Sequence, residues 1–254
     1  MSRHPVVFPY AAKACLAAWL MLLFAPATMS AQGANSLSGV GSKLTAPQIV
    51  SEMDHQNKRR LDELRHYHSV RHYDVSYKGL AKIAAGLVVE VDYDAATGKT
   101  FRVVSQSGSK LLVDKVLKRL VESEQDAGGD KHATALTQAN YEFKLEGIED
   151  VGDRPAYILA VEPKVSSKYL YRGKVWVDTA DFAVAKIAAE PAKNPSFWIS
   201  KTAIDHKYVR IDGFWLPAQN RSESKVRVGG NAVLSIDYGK YQVESKPLMA
   251  AGGR

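Results

Sequence analysis

Lys168–Glu190, KYLYRGKVWVDTADFAVAKIAAE, is the stretch that decides the class of fold. Apolar and aromatic residues crowd Tyr169-Leu170-Tyr171 and Val175-Trp176-Val177, and Asp178-Thr179-Ala180-Asp181 then supplies side chains that bond their own backbone in turns. Beyond it Ala183, Ala185, Ile187 and Ala189 alternate with Val184, Lys186, Ala188 and Glu190. A strand, a turn and a second strand are the reading.

Further hairpins flank this one. Upstream, Tyr141, Phe143 and Leu145 alternate with Glu142, Lys144 and Glu146; the turn signal Asp150–Pro155 follows, and then Tyr157, Leu159 and Val161. Downstream, Phe197–Ile211 turns at Asp212-Gly213 into Phe214–Lys225, and Gly229-Gly230-Asn231 leads into Val233–Val243. The C-terminal half therefore predicts an antiparallel meander. Pro217 breaks the ladder and marks an edge or a bulge.

The N-terminal half mixes helices with strands. Thr45 is placed to cap a helix with Pro47 in its first turn, and Ile49, Val50, Met53, Leu61 and Leu64 fall near one stripe. From His66 the period becomes two, with His66, His68, Val70, His72 and Asp74 on one face and Tyr67, Ser69, Arg71, Tyr73, Val75 and Tyr77 on the other. Three imidazoles and a carboxylate on one face could hold zinc or copper, but same-face strand neighbours stand ~7 Å apart, so a polar strand face is preferred and no metal is expected. Leu87–Tyr93 and Phe101–Val104 pair around Asp94–Lys99. Ser107 or Ser109 then caps a second helix whose stripe is Leu112, Val113, Val116, Leu117, Leu120 and Val121. The polar run Glu124–Ala133 leads into the meander.

The 254 residues, 46% apolar and 24% charged, suit one globular domain. At the N-terminus Arg3 and Lys13 precede the apolar run Ala14–Pro26 and the small residues Ala27, Thr28, Ser30 and Ala31, the layout of a secretory signal peptide. The expected division is a signal peptide over 1–31, a flexible leader over 32–44, one domain over 45–245 and a tail over 246–254. Export follows, to a periplasmic location. Removing residues 1–31 takes Arg3 and Lys13 and no acid, which lowers the formal charge from +7 to +5. This mild basic excess favours anionic surfaces or acidic ligands, and with no basic run or nucleic-acid motif it does not point to nucleic acid. The only cysteine, Cys15, lies in the signal segment and is not set in a lipoprotein-processing box. A mature chain without cysteine has no disulfide, thiolate metal site or cysteine nucleophile.

No nucleophile elbow, phosphate loop, zinc-protease helix or calcium loop occurs, and turn chemistry accounts for Asp178 and Asp181 without acid–base catalysis. The fold class is α+β: about ten strands in a strongly curved antiparallel sheet, an unclosed β-barrel covered by two or more amphipathic helices. Tyr141, Phe143, Leu145, Tyr157, Leu159 and Val161 would line the concave side, with Trp176 from the central hairpin and Leu112, Val116 and Leu120 from the second helix. Such a surface is either a filled core or a cavity suited to acyl chains.

The order of parts resembles the LolA/LolB lipoprotein-carrier superfamily: signal peptide, helix at 46–65, strand with alternate tyrosines, helix at 110–123, then a meander containing Gly173-Lys174-Val175-Trp176-Val177-Asp178. The resemblance implies a non-enzymatic periplasmic carrier without cofactor. It would hold acyl chains of lipids or lipoproteins and exchange them with membrane-bound donor and acceptor proteins. The alternative is an extracytoplasmic sensor or protein-interaction module on the same scaffold.

Overall fold

The computed structural model describes residues 44–125, 134–194, 196–227 and 229–245. The expected signal peptide, nearly all of the leader, the tail and most of the polar run after Glu124 lie outside the described residues. Ten strands form one antiparallel sheet: β1 (Leu64–Lys78), β2 (Lys82–Asp94), β3 (Gly98–Gly108), β4 (Tyr141–Val151), β5 (Arg154–Pro163), β6 (Tyr171–Asp178), β7 (Val184–Pro191), β8 (Ile199–Ile211), β9 (Phe214–Val226) and β10 (Asn231–Ser245). Helix α1 is Ala46–Glu63, and the second helical segment runs as α2 (Lys110–Leu112), a π-helical turn (Val113–Leu117) and α3 (Lys118–Gln125).

The spatial order is β3-β2-β1-β10-β9-β8-β7-β6-β5-β4. Every pair joins sequence neighbours except β1 with β10, which welds the N-terminal three strands to the meander. β3 and β4 are the two ends, so the sheet is not closed.

Turn chemistry fixes the hairpins. Asp94 Oδ1 accepts from the Ala96 and Thr97 amides, and Asp178 Oδ1 accepts from those of Ala180 and Asp181. Gln48 Oε1 accepts from the Thr45 amide at 2.8 Å and from its hydroxyl at 2.9 Å, which fixes the start of α1. Helix α1 ends at Glu63, one residue before Leu64, the last position of the expected stripe. Leu64 opens β1 instead and is fully buried. Pro217 sits at a register shift opposite Tyr208, so it marks a bulge within the sheet rather than an edge strand.

Directly paired residues share a face, and one row can be followed through all ten strands: Leu145, Leu159, Val175, Ile187, His206, Asn220, Ile236, Tyr73, Leu87 and Gln106. Both helical segments lie on this face. Ala46, Ile49, Val50 and Met53 of α1 pack on β4–β7, while Val113, Leu117 and Val121 pack on β1, β2, β9 and β10. The result is two apolar clusters separated by a polar middle. Val184 and Ile187, expected on opposite faces of β7, fall in the same cluster because the register of β6 and β7 shifts between Trp176 and Val177.

Beyond α1, the far ends of two hairpins are tied together by charge. Arg154 grips Asp178 bidentately at 2.6 and 2.9 Å, and Asp181 Oδ2 accepts from Arg154, Arg210 and the Trp215 indole. Arg60 of α1 donates to the Asp181 carbonyl at 2.7 Å. Burial opposes ionisation of Asp178, but Arg154 and the two turn amides outweigh it and hold the carboxyl below its ordinary value. Replacing Asp178→Asn keeps the Oδ1 acceptor and removes the charge under Arg154. We expect a loss of about 1–2 kcal/mol in urea unfolding, whereas an unchanged midpoint would show that the turn amides alone matter.

Candidate functional site

Pairing between β7 and β8 is short: it covers Lys186–Ala189 against Ile204–Lys207 and stops there. Above that point the end of β7 and the start of β8 splay, and an open depression of about 870 Å³ lies across β4–β8. The row through it runs Phe143, Val161, Gly173 and Ala189, and on to Ile204 of β8. Small residues thin the sheet surface there. Gly173 has φ +148°, and a Cβ on it would stand 2.4 Å from the Ala188 carbonyl oxygen, so only glycine fits. Lys144, Arg172, Lys174 and Lys201 border the depression, with Glu142, Glu162 and Glu190 among them. By alternation these charged side chains stand on the face opposite Phe143, Val161 and Ala189, together with Ala160 and Ala188, and their charge is mixed, Arg172 being paired with Glu162.

The expected lining residues separate into three groups. Tyr141, Leu159 and Val161 are buried beneath α1, with Phe143, Leu145 and Tyr157 partly buried around them, and Phe143 and Val161 also border the depression. Leu112, Val116 and Leu120 are partly buried in the other cluster, on the far side of the polar middle. Trp176 leaves the set altogether. Val175 and Val177 on either side of it face the α1 cluster, so the indole points to the opposite face, where Lys186 Nζ stands 4.6 Å from its ring. The first two groups share a face of the sheet but do not meet in one cavity. A π-turn contributes to this arrangement: the Lys118 amide bonds back to the Val113 carbonyl, and the segment buries Val113, Leu117 and Val121 instead.

On the β1–β3 side, beside the cluster under α3, lies a charge cluster that periodicity alone does not announce. Arg71, 2% exposed, lies between the rings of Phe101 and Tyr238 at 5.6 and 4.9 Å and donates to Glu124 Oε2 at 2.8 Å. Lys99 donates to Glu124 Oε1 at 2.8 Å, so two cations share one carboxylate at the end of α3. Burial would raise the Glu124 carboxyl, yet Arg71 and Lys99 outweigh it and hold it at about 2. His206 is buried nearby, its Nε2 has no hydrogen-bond partner among the described residues, and desolvation pushes its pKa down to about 4. The Tyr141 hydroxyl, under α1, is pushed up to about 12 by burial.

The His66, His68, His72 and Asp74 face is the uncovered one. His68 Nδ1 bonds Asp92 at 2.8 Å, and among the described residues no three His, Cys, Asp or Glu side chains are grouped to hold a metal. No described helix is long and apolar enough to cross a membrane.

The sequence matches no protein-family model and no curated protein. The chain is similar to several solved structures. One is the LolA superfamily protein NE2245 from Nitrosomonas europaea, at 13% identity over 81% of this chain and 96% of that one, TM-score 0.35. An outer membrane lipoprotein-sorting protein domain from Vibrio parahaemolyticus shares 10% over 78% and 92%, TM-score 0.40. A DUF1329 family protein from Desulfovibrio piger shares 15% over 79% and 94%, TM-score 0.37. Likeness at this level concerns the course of the chain, and no residue role carries over from it.

Proposed function

We propose that this chain is an exported, non-enzymatic carrier that holds acyl chains of lipids or lipoproteins against the helix-covered face of its sheet. The observation that carries the reading is the β7–β8 splay, a gap in the pairing of the sheet beside the apolar bed under α1. The depression of about 870 Å³ next to it is within the size range of small-molecule sites. An acyl chain would enter at the splay and lie along Phe143 and Ala189 on the helix-covered face, with its head group left at the splay beside Lys201. Deeper entry requires α1 to move from its cluster, in which only its first half is buried.

Native mass spectrometry of the purified protein, followed by organic extraction, tests this directly. Co-purified acylated ligand near one equivalent is the expected result. Ala203→Trp, at an exposed position on the β8 wall of the depression, is expected to weaken fatty-acyl binding at least tenfold with unchanged melting. An empty protein that also takes up no acyl ligand, or an Ala203→Trp variant that binds like the parent, would remove the reading.

One observation favours the second reading, an interaction or sensor module. The outer edge of β3 carries no strand among the described residues, and Val103 and Val104 on it are about half exposed. A peptide partner could add a strand there. Partner capture undiminished by Ala203→Trp would support that role over the carrier.

A further inference from the structure

The two strand-end rims of the sheet differ in charge and in polarity. At one rim lie the β1–β2, β5–β6, β7–β8 and β9–β10 connections and the entry to α2. Within 78–82, 108–111, 163–170, 191–198 and 225–231 there are eight Lys or Arg residues and no Asp or Glu. Close to this rim, inside the strands, lie Glu142, Glu162 and Glu190, of which Glu162 is paired with Arg172. At the other rim, segments 94–98, 151–154, 178–184 and 211–214 hold five Asp and a single Arg. The first rim therefore carries positive charge that no acid in its own connections offsets, whereas at the other rim Arg154 and Arg210 pair with Asp178 and Asp181.

The exposed apolar side chains follow the same division. Of ten large hydrophobic residues exposed among the described ones, six stand on the basic rim: Leu80, Leu111, Val165, Tyr169, Phe197 and Trp198. None stands on the acidic connections. Leu80 is 91% exposed, Phe197 75% and Trp198 59%, so much of their apolar surface meets solvent.

These loops are also tied into a continuous surface. The Tyr77 hydroxyl donates to the Gly229 carbonyl, the Arg227 amide donates to the Trp198 carbonyl, and the Arg227 guanidinium lies 5.4 Å from the Phe197 ring. On the other side the Ala192 amide donates to the Leu170 carbonyl, and that of Lys164 to Asn140. An open hollow of about 590 Å³ lined by Ser200, Lys225, Arg227 and Asn231 sits in this rim.

We infer that this rim is a membrane-docking surface for an anionic bilayer. Aromatic and aliphatic tips on a ring of lysines are the composition that partitions at the bilayer interface, with apolar tips entering the head-group region and ammonium groups meeting anionic lipid. The β7–β8 splay opens near this same rim, so a docked molecule would present its depression to the lipid. Docking itself needs no acyl cavity, and it stands or falls separately from the carrier reading.

The test uses vesicles of phosphatidylglycerol and brominated phosphatidylcholine in a 3:7 ratio, mixed with purified residues 32–254, which lack the apolar N-terminal run and its Trp19. Bromine quenches only indoles that reach the bilayer, and Trp215 at the acidic rim supplies an internal contrast to Trp198. We expect quenching in the parent, its loss in Trp198→Phe, roughly 30-fold weaker binding in Lys225→Gln/Arg227→Gln, and strong weakening by salt. Quenching that survives in Trp198→Phe, or binding equal on vesicles lacking phosphatidylglycerol, would overturn the proposal. So would soluble polyglutamate displacing the protein from vesicles at stoichiometric amounts, which would identify an acidic protein as the partner of this rim.

Discussion

Glu124→Gln is expected to destabilise the protein by about 3–5 kcal/mol, and Arg71→Met by clearly less. The asymmetry follows from counting charges. Glu124 is the carboxylate bonded to both Arg71 and Lys99, so neutralising it leaves two substantially buried cations facing each other without compensation. Removing Arg71 leaves Lys99 and Glu124 as an intact pair, and methionine can fill part of the space between Phe101 and Tyr238. Urea denaturation at neutral pH measures both. Equal losses would mean that the cluster is held by packing rather than by charge balance.

Acid is expected to weaken the fold in two steps. His206 has a folded pKa of about 4, below its ordinary value near 6.5, so between those values the unfolded chain binds the extra proton. Stability is therefore intact above ~6.5 and falls as pH drops toward 4, by about 3 kcal/mol in all. Glu124, held at about 2, acts in the next window: its contribution is present above the ordinary value near 4.5 and is lost as pH falls through 2. Urea midpoints between pH 7.5 and 5 isolate the first step. His206→Gln should flatten that window, and a slope that persists in the variant would assign the effect to another group.

The hairpins were readable in the sequence because turn residues and a period of two are local. Asp94 and Asp178 bond the following amides as expected, and the stripes of both helical segments find partners. The pairing of β1 with β10 leaves no local trace, since it is chosen by the rest of the sheet. Trp176 faces away from the α1 cluster because a residue between two core valines of a strand points to the other side, whatever its bulk. Arg71 fell on the tyrosine face by its period, but its partners come from β3 and α3, and no spacing rule joins those positions. The charge division of the rims was present in alternate loops, yet it acquires meaning only when the meander sends every second connection to the same end.

The β1–β10 weld also governs assembly. Residues 64–78 cannot obtain their second neighbour until 231–245 exist, so a chain emerging N-terminus first holds three strands with an open flank until its last strand is made. Folding should be slow and C-terminal truncation severe. Until then the flank of β1 is a template for strands of other molecules, and a holdase that masks it would raise the yield of native protein.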